Sequence, residues 1–230
     1  MRRPHLALIL ISISALGTLS LRSVASATSP MADEDEMLRN AARVFAHAVD
    51  TPAAAIPAAV LMRASGIAVI PAATADGNYY RGTGVVSARG ARPEDWTPPA
   101  VITFEGAIPL NLETAAIDLI LVAQTRRGLD YLVQDRFTSA AAHSIVAGPL
   151  GHGTPLRSDA DLFAYMHFAT YFAGVTVDDW VVEEMKASNA ILYGRPYSTD
   201  DIMRGAGFFH LPPAARLWRE ALADYFRRMS

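Results

Sequence analysis

Residues 64–88, ASGIAVIPAATADGNYYRGTGVVSA, decide how the rest of the chain is read. Two runs of β-forming residues, Gly66 to Pro71 and Val85 to Ser87, flank a turn region bearing Gly, Asn and Asp at Asp76 to Asn78, which is the pattern of a hairpin. Ile67, Val69 and Val85 give it a buried face, and Gly82 and Gly84 let another backbone or a ligand approach closely. No catalytic group lies in the stretch.

The 230 residues, 51% of them hydrophobic, suffice for one domain with a generous core. With no cysteine, a disulfide framework, a thiol nucleophile, thiolate zinc sites and a Cys-linked lipid are all excluded. Residues 1–27 have the three parts of a secretory signal: basic Arg2 and Arg3, an apolar run from Leu6 to Leu21, and Ala25-Ser26-Ala27 before Thr28. Cleavage after Ala27 is expected, and with it an exported protein, periplasmic or secreted. Removing Arg2, Arg3 and Arg22 from the 20 basic residues leaves 17 against 23 acidic ones, a net charge near −6. Nucleic acid is therefore not an expected partner, since a polyanion needs a basic stripe and only short pairs such as Arg126-Arg127 and Arg227-Arg228 occur.

Asp33 to Glu36 opens an amphipathic helix with Met37, Ala41, Val44, Phe45 and Ala48 at helical spacing, and its expected use is packing on the domain. Ile56 to Ala64 reads as a shorter helix leading into the hairpin. Residues 88–99 form a surface loop with Trp96 at its far end. Strands are expected at Ala100 to Phe104, Ile108 to Gln124, Ser144 to Ala147, Leu162 to Phe168 and Phe172 to Val182. Helices are expected at Thr125 to Asp135, Ala187 to Tyr193, Thr199 to Arg204, and beyond Pro213 to about Met229. Asp118, inside an apolar run, is either an anchor for nearby backbone or a functional group, because an unbonded buried carboxylate is costly. The acids Asp178, Asp179, Glu183 and Glu184 read as a solvated strand end, since alternation sends the first two to opposite faces.

Chemistry is sparse in the pattern. His47, His143, His152, His167 and His210 lack the i, i+4 pairing of a helical zinc site, and Gly148 to Gly153 is neither a P-loop nor a dinucleotide fingerprint. There is no Gly-x-Ser-x-Gly elbow. No catalytic residue, metal ligand or cofactor is assigned, and the protein is read as a non-enzyme.

Taken in order, several short pieces resemble the SYLF domain, a lipid-binding module. They are Ala64-x-Gly66-Ile67-Ala68-Val69-Ile70-Pro71, Gly82-x-Gly84-Val85, Trp96 with Pro98 and Pro99, Gly148-Pro149-x-Gly151, Phe172-Ala173-Gly174-Val175, and Asn189 with Tyr193-Gly194. Asp179 stands where the family has glycine. The resemblance spans Ile56 to Ile202 and implies an α+β fold with a curved, mainly antiparallel sheet flanked by N- and C-terminal helices. The corresponding division is a signal peptide at 1–27, an N-terminal amphipathic helix region at 28–55, the SYLF-like domain at 56–203 and a C-terminal helix at 204–230. It also implies binding to lipid or a membrane surface. A protein-interaction or structural module of the cell envelope, using Trp96 and the hairpin turn, is the alternative. Because the chain is acidic overall, lipid binding must rest on local cations beside apolar surface, and Arg63, Tyr79, Tyr80 and Arg81 near the hairpin are the candidates.

Overall fold

The computed structural model describes residues 30–50, 56–110, 116–138, 145–149, 160–168, 171–205 and 211–229. The signal-like segment, His143, His152, His210 and the Leu150 to Gly153 part of the glycine-rich turn lie outside them. The chain runs α1 (Pro30–Asp50), α2 (Ala58–Met62), β1 (Gly66–Asp76), β2 (Tyr79–Ala88), β3 (Ala100–Ala107), β4 (Ile117–Ala123), α3 (Arg126–Val133), β5 (Arg136–Thr138), β6 (Val146–Ala147), β7 (Leu162–Phe168), β8 (Tyr171–Gly174), β9 (Asp178–Glu184), α4 (Lys186–Tyr193), α5 (Thr199–Met203) and α6 (Pro213–Met229). The strands form one sheet in the order β5-β9-β3-β2-β1-β4-β7-β6, with β8 also pairing β7, and every pairing is antiparallel except β6 with β7. This is the expected α+β fold, a mainly antiparallel sheet flanked by helices from both ends of the chain.

The expected hairpin is β1 and β2. Asp76 faces Tyr79 across a two-residue turn of Gly77 and Asn78, and Gly77 takes φ 66°, the left-handed conformation such a turn demands. Between Val69↔Val85 and Thr74↔Arg81, β1 uses one residue more than β2, and its ladder with β4 slips by one over the same stretch. The extra residue is a bulge at Pro71-Ala72. Proline has no N–H to lose from the ladder there, and Ala72, at φ 51°, turns its own N–H onto Asp118 Oδ1 at 3.0 Å. Asp118 is thus the backbone anchor, one of its two expected roles.

Both faces of the sheet are buried over most of its area. Ile67, Val69, Val85, Val101, Ile120 and Val122 pack under α1 and α6, whose Leu38, Phe45, Trp218, Leu222 and Phe226 complete that core. Ala68, Ile70, Val86, Ile102, Leu119 and Leu121 point the other way, into a second core with Trp180 and Leu129. Burial on both sides is why β4 reads in sequence as an apolar run rather than an alternation. Trp218 Nε1 donates to Ser87 Oγ at 2.9 Å, and Ser87 Oγ donates to the Thr97 carbonyl, which ties α6 to β2.

The structure corrects four expectations. The long strand from Ile108 is only β4, starting at Ile117, because Ile108 and Leu110 leave the ladder and residues 111–115 fall outside the described part. The strand from Phe172 to Val182 divides at Val175 to Val177: β8 stays with β7, whereas β9 crosses to lie between β3 and β5. Trp96 is 4% exposed and its ring lies tilted against Phe226 with centroids 5.2 Å apart, so its ring belongs to the core and is not an exposed side chain for docking another protein. Glu184 is no solvated end either. It is buried and accepts the Thr199 N–H of α5.

Asp179 has φ 46°, where a Cβ is disfavoured, at the position where the resemblance leads one to expect glycine. Asp179→Gly is therefore expected to raise stability by about 0.5–1 kcal/mol, the relief of left-handed strain slightly exceeding the added chain entropy. A thermal melt showing a lower midpoint would contradict that account.

Candidate binding groove on the sheet surface

The face that α1 and α6 cover does not end where the helices do. Beyond Val85 and Val101 it continues as Thr83 opposite Thr103, then Arg81 opposite Glu105. Across the next strands Thr103 faces Glu183 and Glu183 faces Arg136, while Glu105 faces Val181 and Val181 faces Thr138. Two adjacent rows, Thr83-Thr103-Glu183-Arg136 and Arg81-Glu105-Val181-Thr138, thus lie on one open face, because residues two apart on a strand share a side. Between them runs a groove of about 370 Å³.

The charges in it alternate. Arg81, with 54% of its side chain exposed, sits 3.1 Å from Asp76 and 4.0 Å from Glu105. Arg136, 65% exposed, lies 3.7 Å from Glu183. Pairs this open are worth little and exchange readily for another anion. Three strand spacings separate the two backbones, on the order of 15 Å, so the arginines offer two contact points rather than one clamp.

Of the residues singled out in sequence, Arg81 is in this groove and Tyr79, half-buried, shares its face two positions back. Tyr80 points the other way into the second core, fully buried, and burial pushes its phenol pKa up. Arg63 follows α2 at the opposite end of β1, on the order of 25 Å from Arg81 by strand rise, so the structure does not bring the two together. Arg136, Glu183 and the two threonines were not identified, and only the pairing of β9 with both β3 and β5 reveals them. The Arg126-Arg127 pair is neutralised on the spot, Arg126 by Asp130 at 3.2 Å and Arg127 by Asp161 at 2.6 Å.

The histidines are less scattered than their spacing implies. His167 Nδ1 is 3.1 Å from Asp118 Oδ2, and the His47 ring lies against the His167 ring at 4.6 Å, fastening the end of α1 to β7. Among the described residues no group of three or more His, Asp or Glu is placed to hold a metal ion, and no helix is long and apolar enough to cross a membrane.

A family described as "Ysc84: Las17-binding protein actin regulator" matches residues 112–225. Protein YSC84 of Saccharomyces cerevisiae is 28% identical over 170 residues, 70% of this chain and 36% of that protein. LAS seventeen-binding protein 3 of the same yeast is 28% identical over 169 residues, 69% of this chain and 36% of its own length. The human SH3 domain-containing YSC84-like protein 1 is 28% identical over 165 residues, 65% of this chain and 46% of that protein. The chain therefore spans less than half the length of these relatives; the family's description and the name of LAS seventeen-binding protein 3 speak of binding. The family match and these relatives together support a member of the SYLF domain family.

Proposed function

We propose that this chain is a non-enzymatic binding protein that meets the head groups of a membrane surface through the groove between Arg81 and Arg136. The observation that carries the reading is the pair of exposed, weakly held arginines on a face where both could be reached at once. Glu105 and Glu183 beside them suit head groups that carry an amine as well as a phosphate, and Tyr79 can sit at the boundary between head groups and chains. Such local recognition fits an acidic chain, for which overall charge repels an anionic membrane. Export through residues 1–27 would place this activity at the cell envelope, and Arg63 would add a separate contact far from the groove.

Each arginine near an anionic surface is worth about 1 kcal/mol, so Arg81→Ala with Arg136→Ala is expected to lower vesicle affinity roughly tenfold or more. Flotation with liposomes of mixed zwitterionic and anionic lipid measures it, and added salt should weaken the unaltered protein more than the variant. Undiminished flotation of the double variant would remove the groove from the reading. The family's description favours a second reading, a protein-binding surface. It is separated by the same experiment, because a protein-binding module stays with the soluble fraction.

A further inference from the structure

A cavity of about 230 Å³ lies between the segment around Trp96 and α6, apart from the groove, with Glu94, Trp96, Arg216, Arg219 and Glu220 in its walls. Two of these side chains are left with a donor and no acceptor: Trp96 Nε1 and Arg219 Nε are both buried and unpaired. By contrast, Trp218 has Ser87 for its indole N–H. Buried donors are nearly always satisfied, and two orphans around one cavity call for an oxygen that the protein does not supply. Arg216 spends one nitrogen on the Leu211 carbonyl at 2.9 Å and keeps the rest of its guanidinium. Opposite charge is present too, since Glu94 and Glu220 share the lining.

We infer that this cavity is a binding site for a small free zwitterion, a molecule with a carboxylate or phosphate at one end and an ammonium at the other. The anionic oxygens accept from Trp96 Nε1, Arg219 and Arg216, and the ammonium lies between Glu94 and Glu220. Both orphan atoms are closed to solvent as the side chains stand, so binding includes rotation of the Arg219 chain, a change usual at binding sites. At this volume the cavity suits a small molecule rather than a whole phospholipid, which separates this site from the membrane contact of the groove.

The test uses the full chain, labelled with ¹⁵N at tryptophan. Phosphoethanolamine and L-alanine, titrated to about 10 mM, should move the Trp96 indole signal, assigned through Trp96→Phe, and leave those of Trp180 and Trp218 in place. Inorganic phosphate, which lacks the ammonium, should bind at least about tenfold more weakly, and ethanolamine, which lacks the anion, should not bind. By calorimetry, Trp96→Phe and Arg219→Lys should each weaken phosphoethanolamine about tenfold, while circular dichroism confirms that both are folded. Arg81→Ala should leave this binding unchanged, so that failure here and failure of the groove are told apart. Phosphate binding as tightly as phosphoethanolamine would overturn the zwitterion assignment. An indole signal that no probe moves would overturn the site.

Discussion

Replacing Trp218 by alanine should destabilise the protein by about 3–5 kcal/mol, read as a lower midpoint of denaturant unfolding. The ring is fully buried, stands edge-on to Phe45 with centroids 6.2 Å apart, and seals the face formed by Val69, Val85 and Val101. Alanine leaves a cavity between two helices and a sheet that cannot all close at once. It also strips Ser87 Oγ of its donor, although that hydroxyl keeps its own bond to Thr97. Leu217, next in sequence but 44% exposed, is the control, and its change to alanine should cost under about 0.5 kcal/mol. A Trp218→Ala loss below about 1 kcal/mol would mean that α6 does not seal the sheet.

Gly84→Ala is the second large effect, of opposite kind because it adds atoms. A Cβ at Gly84 would stand 2.2 Å from the Val69 carbonyl oxygen and 2.7 Å from Ile70 Cα. Both are backbone of the neighbouring strand, which is held by β4 on its far side and by the Asp118 bond at the bulge. No rotamer change relieves the overlap, so the strands must part locally, at a cost of about 3 kcal/mol or more. Gly77→Ala probes a different cause, since nothing lies within 4 Å of that Cβ and only the φ of 66° opposes it. A loss at Gly84 no larger than that at Gly77, in urea unfolding, would show that the strands accommodate the added methyl without the cost argued from contact.

The contrast between those glycines marks what the sequence made legible. The hairpin was readable because Asp76-Gly77-Asn78 is local turn chemistry between β-forming runs, and α1 and α6 were readable because their apolar residues recur at 3.6. The sequence also marked Gly82 and Gly84 as points of close approach, which the neighbouring β1 fulfils. The division of β8 from β9 was not legible: Phe172 to Val182 reads as one β-prone run despite Gly174 and Asp178-Asp179, and only pairing partners far along the chain decide which edge each half joins. For the same reason Arg81 could be identified as a surface cation but not matched with Arg136, because their common face exists only after β9 inserts between β3 and β5. Trp96 misled by its surroundings. A loop of Gly, Arg, Pro and Asp predicts exposure, whereas the bridge between Arg89 and Trp96 folds the indole back onto Phe226.

The meeting of Phe45 with Trp218 carries a cost that no local contact displays. About 170 residues of chain lie between them, and closing a loop of that length forfeits about 4–5 kcal/mol of configurational freedom relative to neighbouring residues, on the logarithmic law for flexible chains. The sheet absorbs much of this in advance, since β1, β2 and β3 pair with sequence neighbours and shorten the loop that remains to be closed. What is left falls on the apolar contacts of α1 with α6, whose burial offsets the remaining loss of chain entropy.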